Sequence, residues 1–157
     1  MDEMLNAKEF DFAILSECHI TDVAELERIC FSSPISEANI KSILVDGIGK
    51  GFVCVERQSG KVAAYGGVMV AADEAQILNI ATHPDRRGKG LARCALNNIL
   101  DYSKNNGASF ITLEVRESNS VAIGLYTSSG FYEVGRLKNY YKHPTEDALI
   151  LKREIIS

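Results

Sequence analysis

Two glycines one residue apart, in Arg87-Gly88-Lys89-Gly90-Leu91-Ala92, stand where an apolar strand pattern (Gln76 to Thr82) gives way to an amphipathic helix pattern (Leu91 to Ser103). A strand that turns into a helix within a few residues needs backbone conformations closed to most side chains, and glycine adopts them without penalty. Successive N–H groups in such a turn point the same way, and the helix N-terminus behind them adds its own unpaired N–H groups. The result is a ready site for an anion. Arg86, Arg87 and Lys89 put positive charge at the same place, which suits phosphate better than a neutral ligand. A plain surface turn is the competing reading of a glycine pair standing alone.

Two familiar phosphate loops do not fit. A P-loop requires G-x-x-x-x-G-K-[ST], and neither Gly49-Lys50 nor Gly88-Lys89 is followed by Ser or Thr, so a magnesium ion would lack its hydroxyl ligand. A dinucleotide fingerprint fits Gly88 and Gly90 but meets Arg93 at its third glycine, with His83-Pro84-Asp85-Arg86-Arg87 intervening after the strand.

Composition narrows the field further. A chain of 157 residues with 46% hydrophobic content is expected to form one domain over 1–157, burying roughly 70% of its unfolded surface. A net charge of −4 argues against general affinity for nucleic acid, whose phosphates call for a basic stripe. No apolar run approaches the ~20 residues of a membrane span, and Met1-Asp2-Glu3 is acidic where a signal peptide is basic, so a cytoplasmic location and no membrane partner are expected. Cys18, Cys30, Cys54 and Cys94 form no C-x-x-C pair, and Cys54 and Cys94 lie inside apolar patterns, which reads as reduced thiols. Cys18-His19 lacks an orienting partner for nucleophilic work, and His19, His83 and His143 are too scattered for a metal site, so no metal is expected.

Along the chain, Phe10 to Leu15 alternates as a short strand, and Asp22 with Glu25 forms a candidate capping box for a helix through Ile29. A second short helix starts at Ser36. Phe52 to Arg57 and Lys61 to Val70 read as strands joined by Gln58-Ser59-Gly60, and Ala71 to Glu74 turns the chain into the Gln76 strand, giving an antiparallel meander. Ala92, Ala95, Leu96 and Ile99 recur at helical spacing, Asn106-Gly107 stops that helix, and Phe110 to Arg116 follows as a strand parallel to the Gln76 strand. Ser118 or Asn119 caps a helix running to about Ser129. A last hairpin pairs Phe131 to Tyr140 with Asp147 to Ile155 around His143-Pro144-Thr145.

In the strand Phe110 to Arg116, Ile111, Leu113 and Val115 share one face and Thr112, Glu114 and Arg116 the other. A carboxylate in a mostly apolar strand suits a general base, and it suits an ion pair with Arg116 or a neighbouring strand equally well. Tyr126 likewise reads as an ordinary aromatic of an amphipathic helix by its spacing alone.

Arg87 to Ala92 also matches [QR]-x-x-G-x-[GA], the pattern of the acyl-CoA pyrophosphate loop in the GNAT acetyltransferase superfamily. Together with Asn79 to Asp85, Leu113-Glu114-Val115-Arg116-Glu117-Ser118-Asn119, Ala122 to Phe131, and Asn139-Tyr140-Tyr141, the chain from about Val62 to Ile155 resembles the ribosomal-protein-alanine N-acetyltransferase group of that superfamily. Where that group commonly carries Pro-Trp, this chain has Pro34-Ile35. The resemblance implies a mixed α/β fold, with a mostly antiparallel central sheet, one parallel strand pair at the CoA cleft and about four flanking helices.

It also implies acetyl-CoA as cosubstrate. Ile80, Ala81 and Thr82 would meet the acetyl and pantetheine arm, Arg87, Gly88, Lys89, Gly90, Leu91 and Ala92 the pyrophosphate, and Asn119 the CoA arm. Glu114 would be the general base, Tyr126 the acid that protonates the departing thiolate, and Tyr140 and Tyr141 the walls of the acceptor groove. The acceptor implied is the N-terminal α-amine of a protein, with a small-subunit ribosomal protein starting with Ala as first candidate. A GNAT enzyme acting on a small amine or a lysine side chain, and an acyl-CoA-binding module without turnover, are the alternatives. An N-terminal ammonium with a pKa near 8 facing a carboxylate near 4.3 is a mismatch of about 5 kcal/mol, which partial burial of Glu114 would narrow. A strand N–H at Ile80 or Ala81 is a candidate donor to the developing oxyanion.

Overall fold

A computed structural model describes residues 9–156. The chain forms two compact units, the first built from residues up to Met69 with Ile77–Tyr102, the second from Val70–Gln76 with the residues from Ser103 onward. Seven strands and four α-helices lie among the described residues. In chain order they are β1 (Phe10–Ile14), α1 (Ile20–Cys30), α2 (Glu37–Ile40), β2 (Gly49–Glu56), β3 (Val62–Ala71), β4 (Glu74–Thr82), α3 (Leu91–Asn105), β5 (Phe110–Arg116), α4 (Ser120–Ser128), β6 (Tyr132–Tyr141) and β7 (Glu146–Glu154).

In the first unit the strands lie in the order β1-β2-β3-β4. Phe10 stands opposite Glu56 and Ile14 opposite Phe52 in an antiparallel pair, and β2 runs antiparallel to β3 with a register shift at Cys54/Val55. The expected antiparallel pairing of β2 with β3 is therefore present, and β4 lies next to β3 in the sheet. Helix α1 lays Ile20, Val23, Ala24 and Leu26 on Val53, Val62, Tyr65 and Ala81, and Ile40 and Leu44 join them from α2 and the π-helical turn Lys41–Val45 that continues it. Each Ile, Val or Leu among them contributes on the order of 1.5–3 kcal/mol when fully buried. Ser36 caps α2 as anticipated, accepting the Asn39 N–H at 3.2 Å.

The capping box read at Asp22 and Glu25 is not the one found. A 3-10 turn at Glu17–His19 brings the chain into α1 already at Ile20, so Asp22 sits in the first helical turn and its carboxylate accepts the Val62 N–H at 3.1 Å. His19, two residues after the turn begins, accepts the Ser16 N–H through Nδ1 at 3.0 Å, which fixes its role as local and structural. Strand β2 also begins earlier than Phe52, because Gly49 and Gly51 admit close neighbours: a Cβ on Gly51 would stand 2.7 Å from the Leu15 side chain.

In the second unit the start of β4 runs parallel to β5, with Glu74 opposite Phe110 and Gln76 opposite Thr112. The order continues β5-β7-β6, both pairs antiparallel. Strand β5 alternates as its sequence requires, with Ile111, Leu113 and Val115 buried and Thr112, Glu114 and Arg116 on the half-buried face. Asn119, rather than Ser118, caps α4, its Oδ1 accepting the Ala122 N–H at 3.2 Å. The β6–β7 hairpin breaks register near its tip: Leu137 faces Ala148 while Tyr141 faces Glu146. Residues 138–140 thus bulge against Asp147, and Asn139 takes φ 51° there, with its N–H donated to Asp147 Oδ1 at 2.9 Å.

Helix α3 comes down on β3 at a glycine. A Cβ built on Gly66 would lie 2.9 Å from Ile99 Cδ1 and 3.3 Å from Ala95 Cβ. Gly66→Val should therefore overpack this contact and cost about 1–3 kcal/mol, read as a lower denaturant midpoint with unchanged slope. Unaltered stability would mean that α3 does not rest on β3 at this position.

Candidate active site

The first unit carries the glycine turn. Gly88 and Gly90 both adopt left-handed backbone, φ 81° and 78°, and a Cβ on Gly88 would meet nothing within 4 Å, so open space faces the turn. Helix α3 begins directly after it at Leu91, which is buried and anchors the turn against Phe10, Cys54, Ala63 and Ala64. Within the turn the cations divide. Arg86 is bound by Glu56, with Nη2 to Oε1 at 3.2 Å, and Lys89 Nζ reaches Glu9 at 3.2 Å. Arg87 is exposed and its Nε–H lies 3.4 Å from the Thr82 carbonyl. Backbone N–H groups at a helix N-terminus favour an anion, and Arg87 is an exposed cation beside this one.

Strand β4 ends beside this turn in Ile80, Ala81 and Thr82. The Thr82 carbonyl accepts both the Arg87 guanidinium and the Cys30 thiol, the latter at 3.5 Å. Thr82 Oγ1 is buried without a hydrogen-bond partner among the described residues. A buried hydroxyl left so is costly unless something else meets it, which makes it a candidate ligand contact.

The second unit carries the titratable cluster. Glu114 is half-buried on β5, and among the described residues its carboxylate has no ion-pair or hydrogen-bond partner. The ion pair with Arg116 that its sequence position also allowed does not form. Arg116 instead donates to Glu146 at 3.2 Å and to the carbonyls of Pro144 and Lys142, both at 3.0 Å, and stacks 4.5 Å over the Tyr141 ring. Burial, with the Glu114 charge second, pushes the Tyr141 phenol up to about 12. Tyr126 is 6% exposed, lies edge-on to Phe131 at 5.5 Å, and burial raises its phenol strongly, with Tyr141 a smaller contributor. Tyr126 therefore stays protonated and presents an O–H. Tyr140, 50% exposed, meets Tyr141 edge-on at 5.0 Å from the bulge of β6.

Arg116 is expected above only as a partner for Glu114, and Glu146 and Glu27 are not among the expected site residues. Arg116 and Glu146 hold Tyr141 and the hairpin tip, a pairing across 30 positions that only the β5–β7 register reveals. Glu27 on α1 is fully buried, and that was legible, because Ile20, Val23, Ala24 and Glu27 fall at i, i+3, i+4 and i+7 on one helix face. Among the described residues no group of three or more His, Cys, Asp or Glu side chains could hold a metal ion, and no helix is long and apolar enough to cross a membrane.

The chain belongs to the acetyltransferase (GNAT) family, whose pattern matches residues 20–131, and it is an N-acetyltransferase of that family, which uses acetyl-CoA. A Bacillus subtilis (strain 168) protein provisionally named [ribosomal protein bS18]-alanine N-acetyltransferase is 36% identical over 132 residues, 84% of this chain and 87% of that protein. The Escherichia coli (strain K12) [ribosomal protein bS18]-alanine N-acetyltransferase is 44% identical over 98 residues, 60% of this chain and 65% of its own length. The crystal structure of the Escherichia coli ribosomal-protein-S18-alanine N-acetyltransferase superposes with a TM-score of 0.83 at 32% identity, covering 94% of this chain and 95% of the other.

The Glu146 support has a pH signature. Hydrogen bonding from Ser118, whose N–H lies 2.6 Å from Oε2, and the Arg116 charge hold the Glu146 carboxyl below its ordinary 4.5. A carboxyl lowered in the folded state stabilises above its unfolded pKa, and that contribution is lost as pH falls through the folded value. Glu146→Gln should be less stable than wild type near neutrality, with the gap closing as pH is lowered from 4.5. Urea titrations across that range measure it, and a gap that is constant with pH would contradict the assignment.

Proposed function

We propose that this chain transfers the acetyl group of acetyl-CoA to the N-terminal α-amine of a protein beginning with Ala, a small-subunit ribosomal protein first among the candidates. The observation that carries this reading is the likeness, along nearly all of both chains, to an enzyme named for that substrate. A cytoplasmic site of action accords with it.

The first unit fits acetyl-CoA on its own geometry: left-handed backbone at Gly88 and Gly90, open space over Gly88, and an unpartnered buried hydroxyl on Thr82. In this reading Arg87, Gly88, Lys89, Gly90, Leu91 and Ala92 hold the pyrophosphate, Ile80, Ala81 and Thr82 hold the acyl arm by backbone pairing as an added strand would, and Asn119 contacts the arm as well as capping α4. Bound acetyl-CoA supplies an acetyl thioester.

The other residues manage protons and position. Glu114, a carboxylate without a partner among the described residues, accepts the proton that the acceptor ammonium must lose before its nitrogen can attack. Tyr126, kept protonated by burial, presents its O–H to the departing sulfur. Tyr140 and Tyr141 line the acceptor groove with two aromatic, hydrogen-bonding edges, and Arg116 keeps Tyr141 in place.

Glu114→Gln separates this casting from a structural one. The variant should fold and bind acetyl-CoA as wild type does but turn over roughly 100-fold more slowly or worse. The deficit should shrink as pH rises past about 8, where the acceptor amine is already deprotonated. Thiol release followed across pH measures this; full activity in the folded variant at every pH would remove Glu114 from the base role.

A further inference from the structure

Among the described residues of the first unit, the most deeply buried carboxylate takes no part in the proton transfers above. Glu27, 0% exposed, projects from α1 into the core, and four donor contacts converge on its two oxygens. Tyr65 Oη on β3 donates to Oε2, Asn79 Nδ2 on β4 donates to Oε2 at 3.0 Å and to Oε1 at 3.2 Å, and the Ile35 backbone N–H donates to Oε1 at 3.0 Å. Every contact is a donor, as an acceptor-only ionised carboxylate requires. Burial works the other way and raises its pKa, and the three partners' hydrogen bonds oppose that rise.

These partners are unequal in kind. Tyr65 and Asn79 belong to the sheet, whereas Ile35 belongs to the link between α1 and α2, where Ser32, Ser33, Pro34 and Ser36 are exposed and Phe31 and Ile35 pack inward. A buried charge is thus used to hold the backbone of an exposed segment. Asn79 immediately precedes Ile80, and the end of α1 touches the same strand again through Cys30 and the Thr82 carbonyl. The clamp therefore fixes this exposed segment relative to the strand assigned above to the acyl arm.

We propose that Glu27 is a positioning residue for acetyl transfer: its carboxylate clamps residues 31–36 to β4, so that this segment forms a fixed wall for the incoming acceptor beside Ile80–Thr82. The proposal rests on the assignment of Ile80–Thr82 to the acyl arm. A clamp of this kind acts on acceptor binding and leaves acetyl-CoA affinity alone, since the glycine turn is anchored through Leu91 on Phe10, Cys54, Ala63 and Ala64, none of them a hydrogen-bond partner of Glu27.

Glu27→Gln keeps the shape but turns an amide NH2 toward donors. Three readings are expected together. Calorimetry finds acetyl-CoA affinity within about twofold of wild type, the acceptor KM rises about tenfold or more with kcat changed far less, and the Ile35 amide exchanges hydrogen at least about tenfold faster while Val23 and Leu26 keep their protection. Tyr65→Phe, which removes one donor and keeps the carboxylate, should shift KM and Ile35 exchange in the same direction by a smaller factor, and it decides the matter if Glu27→Gln does not fold. A lowered Tm with unchanged KM and unchanged Ile35 exchange in the folded variants overturns the proposal. KM is read for whichever amine wild type acetylates, so an acceptor other than an N-terminal peptide defeats the functional reading without deciding this one.

Discussion

A carboxylate deep in an apolar core costs several kcal/mol unless its lone pairs are met, and in the first unit Glu27 has them met by β3, β4 and the link beyond α1. That requirement ties together much of the unit. It sets the rotation of α1, since Glu27 must face Tyr65 and Asn79, and this rotation lays Val23, Ala24 and Leu26 on the strands. It fixes where the chain travels between α1 and α2, because the Ile35 amide is one of the donors. An apolar residue at position 27 could fill the volume, but it would leave the Tyr65 hydroxyl and the Asn79 amide facing it unpaired.

Each unit carries its own kind of backbone constraint. In the first unit Gly88 and Gly90 take left-handed backbone, φ 81° and 78°, while the nearby cations Arg86 and Lys89 are engaged by Glu56 and Glu9. In the second unit the constraint is the β6 bulge. Three residues opposite one turn Tyr140 outward, while Arg116 and Glu146 hold Tyr141 in beneath it.

Much of this could be read from residues in order. The strand periodicities, the glycine turn, the parallel β4–β5 pair and the alternation that puts Glu114 on the half-buried face of β5 are local patterns, and all are present. Local patterns failed where a distant partner outbid a nearby one. Asp22 had a capping partner three residues on but reaches Val62 instead, and Arg116, two residues from Glu114, pairs with Glu146 across the sheet. Glu27 is the instructive case, because its place on the apolar face of α1 was visible, but its partners Tyr65 and Asn79 lie 38 and 52 positions away.

What the molecule does turns on the acceptor being the N-terminal amine of a protein. The direct measurement is steady-state acetylation of three acceptor sets with acetyl-CoA: free peptides beginning with Ala, the same peptides blocked at the N-terminus but carrying lysine, and spermidine. Preferred turnover of the Ala peptides by at least about tenfold in kcat/KM, with the acetyl group on the α-nitrogen by mass spectrometry, is the predicted result. Faster turnover of spermidine or of the blocked peptides would contradict it.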